Sequence, residues 1–291
     1  MDKPTIRRVG VFVRPNSPHL KSQYLALKKR FGDFNIEVNI DSDSGKSFDE
    51  VGIDSDELID ISDILISLGG DGTLLSTARK SFKNKKPIFP IYAGHLGFLV
   101  VQNIDMALNF VENIVTGHYQ LEKRKLLKIE FQEREEQYAL NEVLITHKQR
   151  MKMSFIQVYR DRCSKKENLL NNYYGDGLII STPTGSTAYN LSSGGPILYP
   201  EMASYILTPM APHSLTQRPI VLPSKVKICA TLPDTPGLIS IDGQNIYRLE
   251  KGEPVKISIH HKPIEIIRGE VYNFFDSLRE KLKWGGEIED E

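Results

Sequence analysis

The chain has 291 residues, 40% hydrophobic and 25% charged, which suits an ordinary globular protein with about two domains, each able to bury a core. Its 37 basic and 37 acidic side chains cancel, so no global field invites a nucleic acid or an anionic membrane as partner. No run approaches the ~20 apolar residues that span a bilayer.

In chain order, Met1-Asp2-Lys3-Pro4 leads into a charged pair and a short apolar run. It has neither the long apolar region nor the small-residue cleavage site of a signal peptide, which predicts a cytoplasmic protein. Residues 9–13 form a continuous apolar run, the mark of a buried strand. Residues 19–31 carry Leu20, Tyr24, Leu27 and Phe31 at spacings of three and four, an amphipathic helix with Gly32 at its expected stop. Strands are predicted at 36–40 and 64–68, the latter running straight into Gly69-Gly70-Asp71-Gly72-Thr73. A helix at 74–82, a strand at 87–93 and a helix at 106–115, with Gly117 placed to cap it, complete the region. Strands alternating with helices imply a parallel sheet covered on both faces.

From about residue 121 the pattern changes. Strands at 126–131 and 138–145 flank a polar stretch in the manner of a hairpin. Further strands at 155–159, 178–181, 226–230, 238–241 and 255–259 are separated by Pro, Gly and Asp. Residues 272–282 turn helical again, with Phe275, Leu278 and Leu282 on one face, before an acidic tail that should fray. The expected fold is α/β plus all-β: a Rossmann-like α/β domain over residues 1–120, a β-sandwich-like domain over 121–265, and a helical C-terminal segment over 266–291. That last segment must bury its stripe somewhere, the first domain being one candidate. Cys163 and Cys229 lie far apart and match no CxxC or zinc pattern, so both are expected as reduced thiols.

The chemistry concentrates in a few segments. Ligands of open α/β sheets bind beyond the carboxyl ends of the strands. A glycine-rich strand-to-helix turn lets backbone come close and presents amides to phosphate oxygens. Asp71 in that turn is either a helix N-cap or a carboxylate that accepts a hydroxyl proton during phosphoryl transfer. The absence of GxxxxGK[ST] excludes a P-loop NTPase, and the absence of a full GxGxxG leaves an ordinary Rossmann dehydrogenase unsupported. Asn141 and Glu142 together offer the donors and acceptors a vicinal diol needs, unless they form a plain strand-edge turn. Thr182, Thr184, Ser186 and Thr187 surround Gly185 in a hydroxyl-rich loop that either binds a ligand or satisfies its own backbone. Tyr189 either stacks on a base or simply packs. Asp242-Gly243 is a strong hairpin-turn signal.

Tyr174-Gly175-Asp176-Gly177-Leu178-Ile179-Ile180-Ser181-Thr182-Pro183-Thr184-Gly185-Ser186-Thr187-Ala188-Tyr189, with Gly69-Gly70-Asp71-Gly72-Thr73 and Asn141-Glu142, closely resembles the NAD kinase family. His95-Leu96-Gly97-Phe98 and Pro212-His213-Ser214-Leu215 ahead of Arg218-Pro219 fit as well, in the family's order. A GGDGT turn alone would also suit lipid kinases and phosphofructokinases; the long central stretch does not.

The resemblance implies transfer of a phosphoryl group from ATP or polyphosphate to the adenosine ribose 2′-hydroxyl of NAD, making NADP at a site between the two domains. Asp71 would be the catalytic proton acceptor, with Gly72 beside it on NAD. Asn141 and Glu142 would bind ribose hydroxyls, and Asp176 the nicotinamide end, with Tyr174 also on NAD. Thr187, Ala188, Tyr189, Asn190 and Ser192 would shape the adenine and ribose pocket. Gln244 matches a further contact, as does Lys152 by its offset from Asn141. Gly69, Gly70, Thr73 and His95 would face donor phosphates. Mg²⁺ is expected to arrive with ATP, held by phosphate and water, since no metal-ligand cluster is legible. A homodimer or homotetramer is implied.

Overall fold

The computed structural model describes residues 5–94, 97–100, 102–149, 152–163, 166–269 and 273–285. Contacts divide the chain into two compact units, residues 1–123 with 264–291, and residues 124–263.

The first unit is built on a six-stranded sheet, in the order Glu37–Ile40, Arg8–Val13, Ile64–Gly69, Ile88–Tyr92, Ile264–Arg268, Gln120–Arg124. The first five are parallel neighbours. Burial on both faces explains their unbroken apolar runs: Ile64–Gly69 is buried throughout, and Arg8–Val13 throughout after its first residue. Helix Lys21–Gly32 packs Tyr24, Leu27 and Phe31 inward, as their spacing predicts. Gly32 stays inside the helix, and Asn35 takes the positive φ of the turn that follows. Helix Ile104–Val115 starts on Asn103, whose Oδ1 accepts from the Met106 amide at 2.9 Å, and Gly117 follows it at φ 78°.

Helix Asp71–Ser81 begins three residues before the apolar pattern does, because the Gly70 carbonyl already accepts from the amides of Thr73 and Leu74. The C-terminal segment belongs to this unit. Its strand Ile264–Arg268 lies beside Ile88–Tyr92, and the buried Arg268 guanidinium pairs with Glu122 at 2.8 Å. Helix Phe274–Leu282 corrects the predicted stripe. It buries Phe274 and Leu278, while Phe275 and Leu282 are exposed, Phe275 stacking on Trp284.

The second unit holds two antiparallel six-stranded sheets. One runs Leu169–Gly175, Ser154–Arg160, Ile228–Thr231, Val255–Ile259, Leu127–Glu130, Gln137–Ala139. The other runs Ile220–Pro223, Ser204–Met210, Gly177–Ser181, Glu142–His147, Gly237–Ile241, Asn245–Leu249. Alternate residues of both, including Ile156, Val158, Ile129 and Ile257 from one and Val143, Ile145, Leu178 and Ile180 from the other, form a single core. This is the sandwich expected from a series of strands separated by Pro, Gly and Asp.

Two expectations fail here. The strand predicted over 138–145 is two strands: Gln137–Ala139 pairs in one sheet, Glu142–His147 in the other, and Leu140-Asn141 carries the chain across. The cysteines are not free thiols. Cys163 and Cys229 form a disulfide with Cα atoms 5.3 Å apart across 66 residues of sequence. Strand Ser154–Arg160 runs antiparallel to Ile228–Thr231, so the turn beyond Arg160 brings Cys163 back beside Cys229. Among the described residues no helix is long and apolar enough to cross a membrane.

Candidate active site

Two groups of side chains stand out, one in each unit. In the first, Ile64–Gly69 ends in Gly70, the backbone cap of helix Asp71–Ser81, with no side chain capping it. Asp71 is therefore not an N-cap; its carboxylate is directed elsewhere. Oδ2 accepts from the Phe98 amide at 3.0 Å, and Oδ1 accepts from the amides of Leu99 at 3.2 Å and Val100 at 3.0 Å. The bend that aims three successive amides at one carboxylate passes through Gly97, where a Cβ would stand 1.9 Å from Asp71 Oδ1. A side chain there would force the Asp71 carboxylate to move. Burial pushes the Asp71 carboxyl above the ordinary aspartate range, against the pull of the Val100, Phe98 and Leu99 amides and of Lys281. A carboxylate with raised proton affinity is better suited to accept a proton near neutral pH.

Gly69, Gly70 and Gly72 surround this aspartate, and Thr73 is buried beneath them. The amides opening an 11-residue helix make this end attractive to phosphate oxygens. His95 lies outside the described residues.

The second group gathers where the chain crosses between the sheets of the β-rich unit. Asn141 and Glu142 are both more than nine-tenths buried, yet Asn141 Oδ1 and Glu142 Oε2 have no hydrogen-bond partner. A buried orphan polar atom costs about 1–3 kcal/mol, so such a pair marks a place where a ligand would complete the bonding. Burial, and then the adjoining Asp242 carboxylate, push Glu142 up to about 8. Asp242 accepts from the amides of Leu140 at 3.1 Å, Asn141 at 2.8 Å and Glu142 at 3.2 Å.

The hydroxyl-rich loop braces the same crossing. Thr182 donates from its amide to the Asn141 carbonyl, and its hydroxyl bonds the Leu140 carbonyl at 2.6 Å. A Cβ on Gly185 would stand 2.2 Å from the Asn141 carbonyl oxygen. Arg124, fully buried, reaches Thr184 Oγ1 at 3.3 Å.

Other predicted residues divide by position. Gln244 is exposed at the hairpin tip beside Asp242. Thr187 and Ala188 are half-buried; Tyr189 and Ser192 are exposed on the turn that follows the loop. Asn190 is wholly buried. Its Nδ2 donates to the Ser186 and Pro196 carbonyls, and its Oδ1 accepts from Thr208, so it braces the turn from within. Asp176 and Tyr174 are exposed at the far end of strand Gly177–Ser181, where Gly177 pairs with Thr146; the other end, Ser181, pairs with Glu142. Lys152 is exposed just before strand Ser154–Arg160, whose Ser154 pairs with Gly175, so it keeps to the Asp176 end.

Sequence reasoning picked out Gly97 within the family text but gave it no role, and it missed the carboxylate role of Asp242. The Asp242-Gly243 turn was legible, but nothing local indicates which amides its side chain would meet.

Residues 9–119 match the family model of the ATP-NAD kinase N-terminal domain, and residues 140–269 that of the ATP-NAD kinase C-terminal domain. The NAD kinase of Sulfurimonas denitrificans is 44% identical over 288 residues, covering 98% of this chain and 100% of the relative. That of Helicobacter hepaticus is 36% identical, covering 97% of each. Among solved structures, a yeast NADH kinase complexed with NADH shares the fold at a TM-score of 0.87 and 20% identity, covering 99% of this chain and 91% of the other. An Archaeoglobus fulgidus NAD kinase in complex with ATP shares it at 0.75 and 23%, covering 95% and 97%.

Proposed function

Since the chain belongs to the NAD kinase family, whose members phosphorylate NAD to NADP, we propose that Asp71 takes the proton from the reacting hydroxyl. The reaction puts a phosphoryl group on the 2′-oxygen of the adenosine ribose. That oxygen becomes a competent nucleophile as its proton leaves, which calls for a positioned base. The observation carrying the assignment is a single ionisable side chain in the glycine-rich turn, held by three amides and raised in proton affinity by burial.

Gly72 would lie beside Asp71 on NAD. Asn141 and Glu142 would take ribose hydroxyls with their orphan oxygens, a role supported by their burial without partners. Gln244, Thr187, Ala188, Tyr189 and Ser192 would line the rest of the adenosine subsite. Asn190 would act through the turn it braces, its amide being committed to protein groups. Asp176, Tyr174 and Lys152 are assigned to the nicotinamide end. Gly69, Gly70 and Thr73, with His95, are assigned to the donor phosphates, and ATP is the proposed donor.

The described residues bring together no group of three or more His, Cys, Asp or Glu side chains, so they offer no protein-built metal cage. Mg²⁺ is proposed to come in on the donor's phosphates. We also propose a homodimer or homotetramer, on the ground that edge strand Ile220–Pro223 exposes Ile220 and Val221; light scattering checks it. A cytoplasmic location is proposed because both substrates are held there. The disulfide runs against it, and counting free thiols after alkylation in intact cells tests the point.

For the base, Asp71→Asn should lower kcat by about 10²–10⁴-fold while NAD binding stays within a few-fold. NADP formation at an undiminished rate would remove Asp71 from its role.

A further inference from the structure

Asp242 is the residue of the β-rich unit whose chemistry the assigned roles leave unused. It sits at the tip of the hairpin joining Gly237–Ile241 to Asn245–Leu249, with φ 50°, next to Gly243 at φ 64°. A tight turn of this kind needs positive φ, which Asn or Gly supplies as well as Asp. Turn geometry therefore does not account for a carboxylate here. Nor does burial, since Asp242 is 6% exposed and its charge lies against a second buried carboxyl, that of Glu142.

What the carboxylate does is collect amides. Pairing in one sheet stops at Ala139 and resumes in the other at Glu142. Across this gap the amides of Leu140, Asn141 and Glu142 all point to Asp242, and the Asp242 amide returns a bond to the Glu142 carbonyl at 3.0 Å. An ionised carboxylate offers about four acceptor sites, enough for three donors; an asparagine carbonyl offers about two. Two of the residues so held, Asn141 and Glu142, each carry a buried side-chain oxygen without a partner.

We propose that Asp242 is the positioning residue of the dinucleotide subsite, its carboxylate gathering three amides so that Asn141 and Glu142 present their orphan oxygens to ligand hydroxyls. This rests on reading Asn141 and Glu142 as that subsite. Asp242 touches neither reacting atom and acts through the backbone of residues 140–142.

Its charge has a second consequence, on the proton of Glu142. The strand partner of Glu142 is Ser181, with Ile241 beside Val143 one position on. Loop 182–187 carries no ionisable side chain of its own and is joined by Arg124 through Thr184. The hairpin tip brings Asp242, the charged neighbour that adds to burial in raising Glu142. Removing that charge lets Glu142 ionise at lower pH.

The test is steady-state kinetics and NAD titration on the full-length enzyme, comparing wild type, Asp242→Asn, Glu142→Gln and the double variant across pH 5–9. Asp242→Asn keeps a residue that tolerates the turn. It should raise the KM for NAD about tenfold with a much smaller change in kcat. The pH midpoint of that KM should also move down by about half a unit or more, a shift absent when Glu142→Gln is present too. An unchanged KM and pH profile, or a loss confined to thermal stability, would overturn the proposal. Glu142→Gln with a wild-type KM would sink the subsite reading and the inference with it. An impaired Glu142→Gln beside an unimpaired Asp242→Asn would sink the inference alone. Should Asp242→Asn fail to fold, hydrogen exchange on the wild type decides: the amides of 140–142 should exchange as slowly as those of residues 143–147, and rapid exchange overturns the clamp.

Discussion

Each unit contains a carboxylate that accepts three successive backbone amides, and the roles proposed for the two are opposite. Asp71, on the first turn of a helix, receives amides from residues 98–100. Asp242, on a hairpin tip, receives amides from residues 140–142, about a hundred positions upstream. In the first case the amides hold the group proposed to do the chemistry. In the second the carboxylate is the proposed brace, and the proposed working groups are the side chains of the residues it holds. Both carboxylates have their oxygens filled, and the difference lies in their neighbours: the residues that give their amides to Asp242 include Asn141 and Glu142, each with an unmet side-chain oxygen. A three-amide carboxylate is therefore a sign of precision rather than of role, and the role must be read from its surroundings.

That contrast can be broken at three points. The largest effect is expected in stability. Glu142 has a folded value of about 8, above its ordinary 4.5, so its contribution is fully present below 4.5 and lost as pH rises through about 8. Glu142→Gln should therefore gain on wild type by about 3 kcal/mol between pH 5 and pH 8, at about 1.4 kcal/mol per unit within the window. Denaturant melts at the two pH values measure it, and parallel pH dependence in both proteins would mean that Glu142 is not the strained group. Next comes Gly97→Ala. Its methyl would collide with Asp71, and displacing a base by about 1 Å costs about 10²-fold in rate. The loss should fall on kcat, with NAD affinity held; a fall in affinity alone would show that the amides of 98–100 serve something other than Asp71. The smallest effect is expected for Gly185→Ala, which presses on the Asn141 carbonyl. It should raise the KM for NAD about tenfold or less while sparing kcat, the reverse of the Gly97 pattern. Identical kinetic signatures for the two alanines would erase the distinction between a held base and a held binding turn.

Much of the molecule was legible from local pattern. The continuous runs at 9–13 and 64–68 appear as strands buried on both faces, and the segments at 178–181 and 255–259 as sandwich strands. Asp242 and Gly243 take the positive φ that the dipeptide announces. The strand boundary at Leu140-Asn141 was only partly legible: Asn141-Glu142 interrupt the apolar run and suit a strand-edge turn, but the switch of sheet depends on amides going to Asp242 instead of to a ladder. The helix register at 274–282 misled because Phe275 stacks on Trp284, leaving Phe274 to face the core.

By itself the sequence determined the alternation of strand and helix, the change to β structure near residue 121, the glycine-rich turn around Asp71 and the motif text that marks the family, because each depends on residues within a few positions of one another. Only the tertiary structure decided that Ile264–Arg268 returns to the first sheet, that Cys163 meets Cys229, and that Asp71 and Asp242 each capture three amides. Those outcomes join segments some 27 to more than 100 residues apart. Which distant donor meets a given carboxylate is set by how sheets and turns pack, and no local pattern of side chains encodes it.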